Sequence, residues 1–502
     1  MKFLRLLLLI PLIAGCTNTS QNAPLPTAKE MPVIELKDGD SYILEAQVIQ
    51  KEIDGKMIEM FGYNGSIPGP RIEVSKGSSV TLILKNSLPV NTTLHSHGIR
   101  MKNAFDGVEG VTQDAVKSGE SFEYQLTFPD EGIFWYHPHI REDYQQEKGL
   151  YGNILVRGDY LKKEHVKENF IFLDDILLDT NGIVPFSSTT IDHSLMGRFG
   201  NTFLINGQSI DERQEKLPTI ELLQGDTLRS YFTDSANTRT FDLQLEDKDS
   251  KVIPWFMIAS DNEVYSNPFK SNHIIISPGE RYISENSFED PGKYTITHRG
   301  TPLINIEVAP DILNTQSITN YEIIEKPSVQ PLVNQFLKTL PDKELQLSVN
   351  MSTMNHMGGG MMSMNHSSPE GIEWEDTMPM MNEMATSENT TWEITDTQTG
   401  KKNMDIDWNF KKDSYVKMRI VNDANSAHPM QHPFHIHGQR FIVLSQDGKI
   451  NEHPTWKDTT LLPTGTTTDI LVEMSNPGVW MTHCHIAEHL HSGMMFSFKV
   501  EE

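Results

Sequence analysis

Two cysteines are all that the 502 residues contain, Cys16 and Cys484. A disulfide framework is therefore excluded, and if Cys16 is consumed by another chemistry not even one bridge can form. Positive charge is also scarce: 42 Lys and Arg stand against 68 Asp and Glu, a formal net charge of −26. Such a surface repels phosphate backbones, which argues against a nucleic-acid partner, and it attracts cations. Beyond the first residues no run approaches the roughly 18 apolar residues of a membrane-spanning helix, and long amphipathic helical patterns are few. A single core is excluded by length, since roughly 100–200 residues per domain gives three domains. The 37% hydrophobic content, with 33 Gly and 27 Pro, is that of a turn-rich globular chain in which disorder can only be local.

Lys2 and Arg5 precede the apolar stretch Leu6 to Ile13, the charge-then-apolar order of an export signal and too short for a permanent span. The stretch runs into Leu12-Ile13-Ala14-Gly15-Cys16, which resembles the lipobox of bacterial lipoproteins. That resemblance implies a lipoprotein-type signal over residues 1–16, lipidation of Cys16, and an extracytoplasmic protein, periplasmic or at the cell surface, anchored to a membrane by acyl chains. An ordinary secretory peptide with an incidental Cys16 is the alternative.

What the chain does have is period-2 alternation. Phe122, Tyr124, Leu126 and Phe128 alternate with polar residues, as do Val416, Met418 and Ile420, and Ile470, Val472 and Met474. These are half-buried strands, and their spacing points to an all-β chain of sandwiches. A tight turn leading into a strand that ends in His occurs three times: Asp130-Glu131-Gly132 before His137, Asp290-Pro291-Gly292 before His298, and Asn476-Pro477-Gly478 before His483. One unit used three times puts boundaries near 160 and 335. The first and third copies continue as His-X-His, whereas the second continues as Thr297-His298-Arg299-Gly300, so the middle domain reads as a spacer without metal ligands. The expected division is 35–160, 161–310, a linker over 311–342, and 343–502. Within the last lies a Met-rich insert, 351–384, with Met351, Met354, Met357, Met361, Met362, Met364, Met378, Met380, Met381 and Met384 beside Gly358-Gly359-Gly360, His356 and His366. The stretch to about 390 has neither helical nor strand periodicity and is not expected to pack as core.

With 19 His in the chain, chance gives roughly one His-X-His. Five occur: His95-Ser96-His97, His137-Pro138-His139, His435-Ile436-His437, His483-Cys484-His485 and His489-Leu490-His491, with His432 three residues before the third. In a strand, residues i and i+2 share a face, so each pair can aim two imidazoles at one metal region. A lone pair of this kind is usually coincidence; four on repeated strand ends, joined by Cys484, are not.

These segments, with Asp106-Gly107-Val108 after the first and Trp456-Lys457-Asp458-Thr459 before the last, resemble the copper-binding motifs of the three-domain multicopper oxidases, the family of laccases, ferroxidases and bacterial cuprous oxidases. The resemblance covers nearly the whole mature chain. It implies three consecutive cupredoxin-like Greek-key β-sandwiches and four coppers per chain: one type 1 in the third domain and a trinuclear cluster, one type 2 and two type 3, between the first and third. Carried over, His432, Cys484 and His489 would hold the type 1 copper with Met494 as axial ligand, a set that also follows from blue-copper chemistry; Met495 is the alternative axial donor. His95 and His435 would hold type 2, and His97, His137, His139, His437, His483 and His485 the type 3 pair. The activity implied is one-electron oxidation of a substrate coupled to four-electron reduction of dioxygen to water.

Cys484 sits between His483 and His485, so electrons have a short covalent path from one copper to the others. Asp106 matches the family position of an acid near the type 2 copper, where a carboxylate can relay protons or orient water; a plain turn role is the alternative. Two departures stand out. Many relatives carry Glu where this chain has Leu490, leaving Glu488 or His491 as substitutes, and Ser96 replaces a frequent aromatic. The Met-rich insert resembles that of bacterial cuprous oxidases, and thioether sulfur favours cuprous over hard cations. Cuprous ion in copper tolerance is thus the expected reductant, with phenols or ferrous ion as other substrates of a laccase-like oxidase. An extracytoplasmic copper-sequestering protein is the alternative without catalysis, and a two-domain nitrite reductase fits less well because such relatives lack the full type 3 set.

Overall fold

The computed structural model describes residues 24–162, 166–210, 217–311, 328–351 and 370–502. Cys16 with the whole signal segment, and Met354, Met357, Met361, Met362 and Met364, lie outside them. The alternating segments become strands with one buried face: in Ser414–Asn422, Val416, Met418 and Ile420 enter the core while Tyr415 stays exposed. No helix among the described residues is long and apolar enough to cross a membrane.

One topology is used three times. In each copy a long strand runs parallel to a non-consecutive one in the first sheet: Ser41–Ile53 beside Ser79–Asn86, Lys167–Ile176 beside Thr227–Asp234, and Lys343–Met351 beside Ser414–Asn422. In the second sheet Arg71–Ser75 runs parallel to Gly152–Arg157, Thr219–Leu223 to Thr301–Ala309, and Trp408–Lys411 to Met495–Glu501. Strands that are neighbours in space but not in sequence require crossovers between the two sheets, the Greek-key arrangement of a sandwich. No sheet mixes strands from 33–157, 167–309 and 343–501, and each stretch has its own apolar cluster.

Residues 328–342, expected as linker, carry the helix Gln330–Phe336. Its Val333 packs on Ile442, Leu444, Trp456 and Leu471. The Nζ of buried Lys417 donates to the carbonyls of Phe336, Leu337 and Thr339 at 2.9–3.3 Å. These carbonyls at the helix end lack intrahelical partners, so an ammonium group there is favourable. The expectation of an unpacked segment over about 351–390 also fails at both of its ends. Met351 closes a strand whose residues pair in register with Thr390–Asp396, which puts its side chain in the core with 8% exposure. Ile372, Trp374 and Ala385 are buried, and Pro379–Met384 is a short helix.

The first and third sandwiches meet edge to edge. Asp130 accepts from Arg100 Nε at 2.8 Å and from Arg440 Nη1 at 3.2 Å, and Arg440 Nε donates to Glu473 at 2.7 Å. Asn103 Nδ2 donates to the Val479 carbonyl at 2.6 Å and Asn476 Nδ2 to that of Met101 at 2.7 Å. The histidine motifs lie along this joint.

Candidate metal centres

Strand register brings the motifs together in pairs. His95–His97 runs antiparallel to Gly132–His137 with His95 opposite His137, and His432–Ile436 runs antiparallel to Gly478–Cys484 with His435 opposite His483. Across the joint the His97 and His435 rings stack with centroids 3.7 Å apart, and those of His95 and His437 lie 4.1 Å apart. All eight imidazoles are buried.

Their donor atoms fall into three groups within 4.8 Å: His97, His137 and His485; His139, His437 and His483; and His95 and His435, to which His437 is also close. All four His-X-His pairs are split between these groups, His437 alone also standing close to the group of its own partner, His435. The pairs thus serve one region but not one ion each.

The hydrogen bonding assigns the tautomers. Nδ1 of His95 donates to the Asp106 carbonyl at 2.7 Å, and Nδ1 of His137, His435 and His483 donates to the carbonyls of Pro138, Asp458 and Cys484 at 2.8 Å. Asp106 Oδ2 accepts from Nδ1 of His437 at 3.0 Å, while Asp458 Oδ1 and Glu142 Oε1 flank Nδ1 of His97 and of His139, each at 3.1 Å, and Arg281 Nη1 also stands 3.3 Å from Nδ1 of His97. Where Nδ1 carries the hydrogen, as in His95, His137, His435, His437 and His483, Nε2 keeps a lone pair. The Nε2 atoms of His95, His97, His137, His139, His435 and His485 are buried without a hydrogen-bond partner, and those of His437 and His483 face each other at 2.9 Å. Buried acceptors that converge on one another are costly unless a cation accepts their lone pairs, so the donor set fits metal ions. Burial, then neighbouring imidazoles, hold His97, His435 and His437 well below the usual imidazole range, and His485 is lowered to about 3. All remain neutral ligands at pH 7.

The second centre lies on the other face of the same strand. Strand alternation turns Cys484 away from His483 and His485, and its Sγ stands 3.5 Å from Nδ1 of His432 and 3.9 Å from Nδ1 of His489, with 3.4 Å between the two nitrogens. Trp392 stacks on His489 at 4.0 Å. Met494 is fully buried in the apolar cluster that holds Cys484, whereas Met495 is only partly buried and packs with Val108, Met481 and Leu490. That places Met494, and not Met495, on the side of the thiol. Burial pushes the Cys484 thiol up, so a bound cation is needed to draw off its proton.

Asp106 is buried at the cluster, and its Oδ1 has no hydrogen-bond partner although it lies 3.3 Å from Nδ1 of His95, whose hydrogen is taken by the backbone. The two candidates offered by the Leu490 departure diverge. Glu488 faces the middle sandwich, accepting from Thr238 Oγ1 at 3.1 Å and Asn237 Nδ2 at 3.4 Å, and burial pushes its carboxyl up to about 7. His491 instead contacts Glu142, the carboxylate that flanks His139, and its side chain reaches the surface. Burial opposes charge on Glu142, but His139 and His491 outweigh it and hold the carboxyl below its usual range. Glu142 escaped sequence reasoning; its one signal is its position three residues after His139. Asp458 was visible only as part of a motif, and Arg281, which grips it, carried no signal at all.

No donor group of this kind includes a residue of the middle sandwich among the described residues. His298 is buried there against Phe203 and Phe241, and its Nδ1 accepts the Asp242 N–H at 3.0 Å.

Comparison with known proteins agrees. Residues 45–160 and 373–502 match two family models, both described as multicopper oxidase. The chain is 27% identical to multicopper oxidase mco of Staphylococcus aureus over 92% of its length and 88% of that protein's. It is 25% identical to multicopper oxidase MmcO of Mycobacterium tuberculosis, covering 90% of this chain and 85% of that one. Laccase-1 of Botryotinia fuckeliana is 25% identical, over 92% and 82%. Among solved structures, a multicopper oxidase from Campylobacter jejuni superposes with a TM-score of 0.70 at 23% identity, covering 96% of this chain and 98% of that one. At such identity this likeness speaks for the fold alone. Matched at both ends by one family description, and along nine tenths of its length by a protein that carries the name, the chain belongs to the multicopper oxidase family.

Proposed function

We propose that this multicopper oxidase takes its electrons from cuprous ions outside the cytoplasm, removing a toxic form of copper while dioxygen is reduced to water. The observation that carries this reading is a set of exposed thioethers on a helix bonded to Met196 and Gly197, next to Leu195, whose backbone meets His489. Met380, Met381 and Met384 on the helix Pro379–Met384 are 79%, 37% and 74% exposed. The helix is fixed there: Met378 packs against the apolar cluster containing Cys484, and Asn382 accepts the Met196 N–H at 2.9 Å and donates to the Gly197 carbonyl at 2.8 Å. Methionines held at the surface without a packing role suit capture of a soft monovalent cation. The acidic surface favours the approach of any cation. Met351 drops out of the capturing set, being core.

Bound copper supplies the chemistry: one-electron exchange at the Cys484 centre and four-electron reduction of dioxygen at the cluster of eight histidines. The chain's own part is to wire and to protonate. Cys484 links the two centres through single residues on either side, and Asp106 presents an unpaired oxygen where the protons consumed by water formation are needed. Export and lipid attachment at Cys16 belong to the same proposal, since the reductant would be met outside the cytoplasm.

Relatives divide on substrate. The Campylobacter jejuni protein is described as a metallo-oxidase, and a laccase-like neighbour from Ochrobactrum sp. as having oxidase activity towards lignin model compounds. The deciding experiment replaces Met380, Met381 and Met384 together by Ser and measures oxygen uptake with cuprous ion, ferrous ion and a phenol. The expected result is a loss of roughly tenfold in kcat/KM for cuprous ion, equivalent to about 1.4 kcal/mol, with phenol turnover unchanged or raised. Unchanged cuprous kinetics would leave the laccase reading in possession.

A further inference from the structure

The middle sandwich contributes none of the copper donors named above, yet one of its turns reaches the trinuclear site. Arg281 opens the strand Arg281–Ser287 and has no exposed surface. Its Nη1 and Nη2 donate to the two oxygens of Asp458 at 2.7 and 2.6 Å, its Nε donates to the Ile133 carbonyl at 3.0 Å, and Nη1 also donates to the Gly279 carbonyl at 3.0 Å. The guanidinium therefore touches all three sandwiches at once. Asp458 Oδ1 lies 3.1 Å from Nδ1 of His97 and 3.6 Å from Nδ1 of His435, and Arg281 Nη1 itself stands 3.3 Å from Nδ1 of His97. Two residues before Arg281, Gly279 takes φ +88°, and a Cβ there would stand 2.8 Å from the His485 ring.

We propose that the turn 277–281 of the middle sandwich is a positioning element of the trinuclear site. Arg281 fixes the plane of the Asp458 carboxylate beside the Nδ1 edges of His97 and His435; Gly279 lets the turn seat against His485. This rests on the copper-site reading above. A carboxylate held by one contact can rotate, whereas a two-pronged pair with guanidinium has a single geometry. Were Asp458 to turn away, the His97 and His435 rings would lose the carboxylate that flanks their Nδ1 edges, and with it their fixed orientation toward the other donors. Joining the sandwiches does not by itself account for Arg281. Lys457 already pairs across the same joint with Asp261 at 3.1 Å and Glu280 at 3.2 Å, and a buried ion pair is weak evidence for stability.

The test is Arg281→Lys, which keeps the charge and loses the fork. In the full copper-loaded chain the blue absorption of the Cys484 centre should stay. Copper content should fall toward one per chain, with roughly 10- to 100-fold weaker retention of the remainder against a chelator and an altered type 2 electron paramagnetic resonance signal. Gly279→Ala should disturb the same signals by pressing on His485. A folded Arg281→Lys protein with wild-type copper content and resonance spectrum overturns the proposal. Should that variant not fold, unchanged spectra in Gly279→Ala overturn it. A wild-type chain with no blue band would mean instead that the underlying copper assignment had failed.

Discussion

The middle sandwich and its two neighbours are built from the same unit, and comparing them separates what the unit does from what its surroundings do. Gly132–His137, Gly292–His298 and Gly478–Cys484 are matching strands that start at a glycine and end at or beside a histidine. In the outer copies the histidine lies opposite another on the adjoining strand, its Nδ1 donates to a carbonyl, and its Nε2 is left to a metal. In the middle copy the ring lies among Phe203, Phe241 and Trp374, and its Nδ1 is an acceptor. A ligand is made by neighbours that bare one nitrogen and occupy the other; the strand-end histidine alone does not make one.

Three variants would break or sharpen that contrast. Cys484→Ser should have the largest effect: the blue band disappears, oxygen uptake ceases, and copper content drops by one per chain, because the remaining imidazoles of that centre lack the thiolate. Retained colour and rate would end the whole assignment. Asp106→Asn should be intermediate, with the blue band intact and turnover reduced roughly 100-fold or more; pre-steady-state reduction of the Cys484 centre by substrate should be unaffected, which separates electron entry from proton supply. His298→Phe should be smallest. Copper content and turnover should stay within twofold of wild type, while stability falls by about 1–3 kcal/mol from the orphaned Asp242 N–H. A lost copper in this variant would refute the spacer reading.

The last variant also has a pH signature. Burial, then Arg239 and Arg299, lower the His298 pKa to about 3. Between that value and the ordinary 6.5 the unfolded chain binds the extra proton, so stability rises with pH in this window and is lost as pH falls through it, by at most about 1.4 kcal/mol per unit. The variant lacks this loss. The stability gap between wild type and His298→Phe should therefore narrow on acidification from pH 7 to 5, as read from denaturant unfolding at each pH. A gap that widened would show that His298 gains a proton in the folded state.

Much of the site was legible because its signals are local. Two-residue periodicity gave the strands, the turn-to-histidine interval gave the repeat, and four His-X-His pairs with one Cys gave the donors. The structure then corrected the places where packing outweighs composition. Met351 looked like part of a loose methionine tract, but pairing with Thr390 carries it into the core. Residues 330–336 lacked strand signals and form a helix because Ile442, Leu444 and Trp456 offer an apolar seat.

By itself the sequence determined which side chains could bind copper and that Cys484 would face away from its two histidine neighbours, since alternation along a strand is a property of covalent geometry. Only tertiary structure decided how the eight imidazoles divide into groups, that Met494 and not Met495 lies on the side of the thiol, and that Arg281 grips Asp458 beside histidines far from it in the chain. Those outcomes depend on three sandwiches docking edge to edge, which brings together residues separated by 184 positions in the case of Arg281 and His97. No spacing rule along the chain encodes a meeting of that kind.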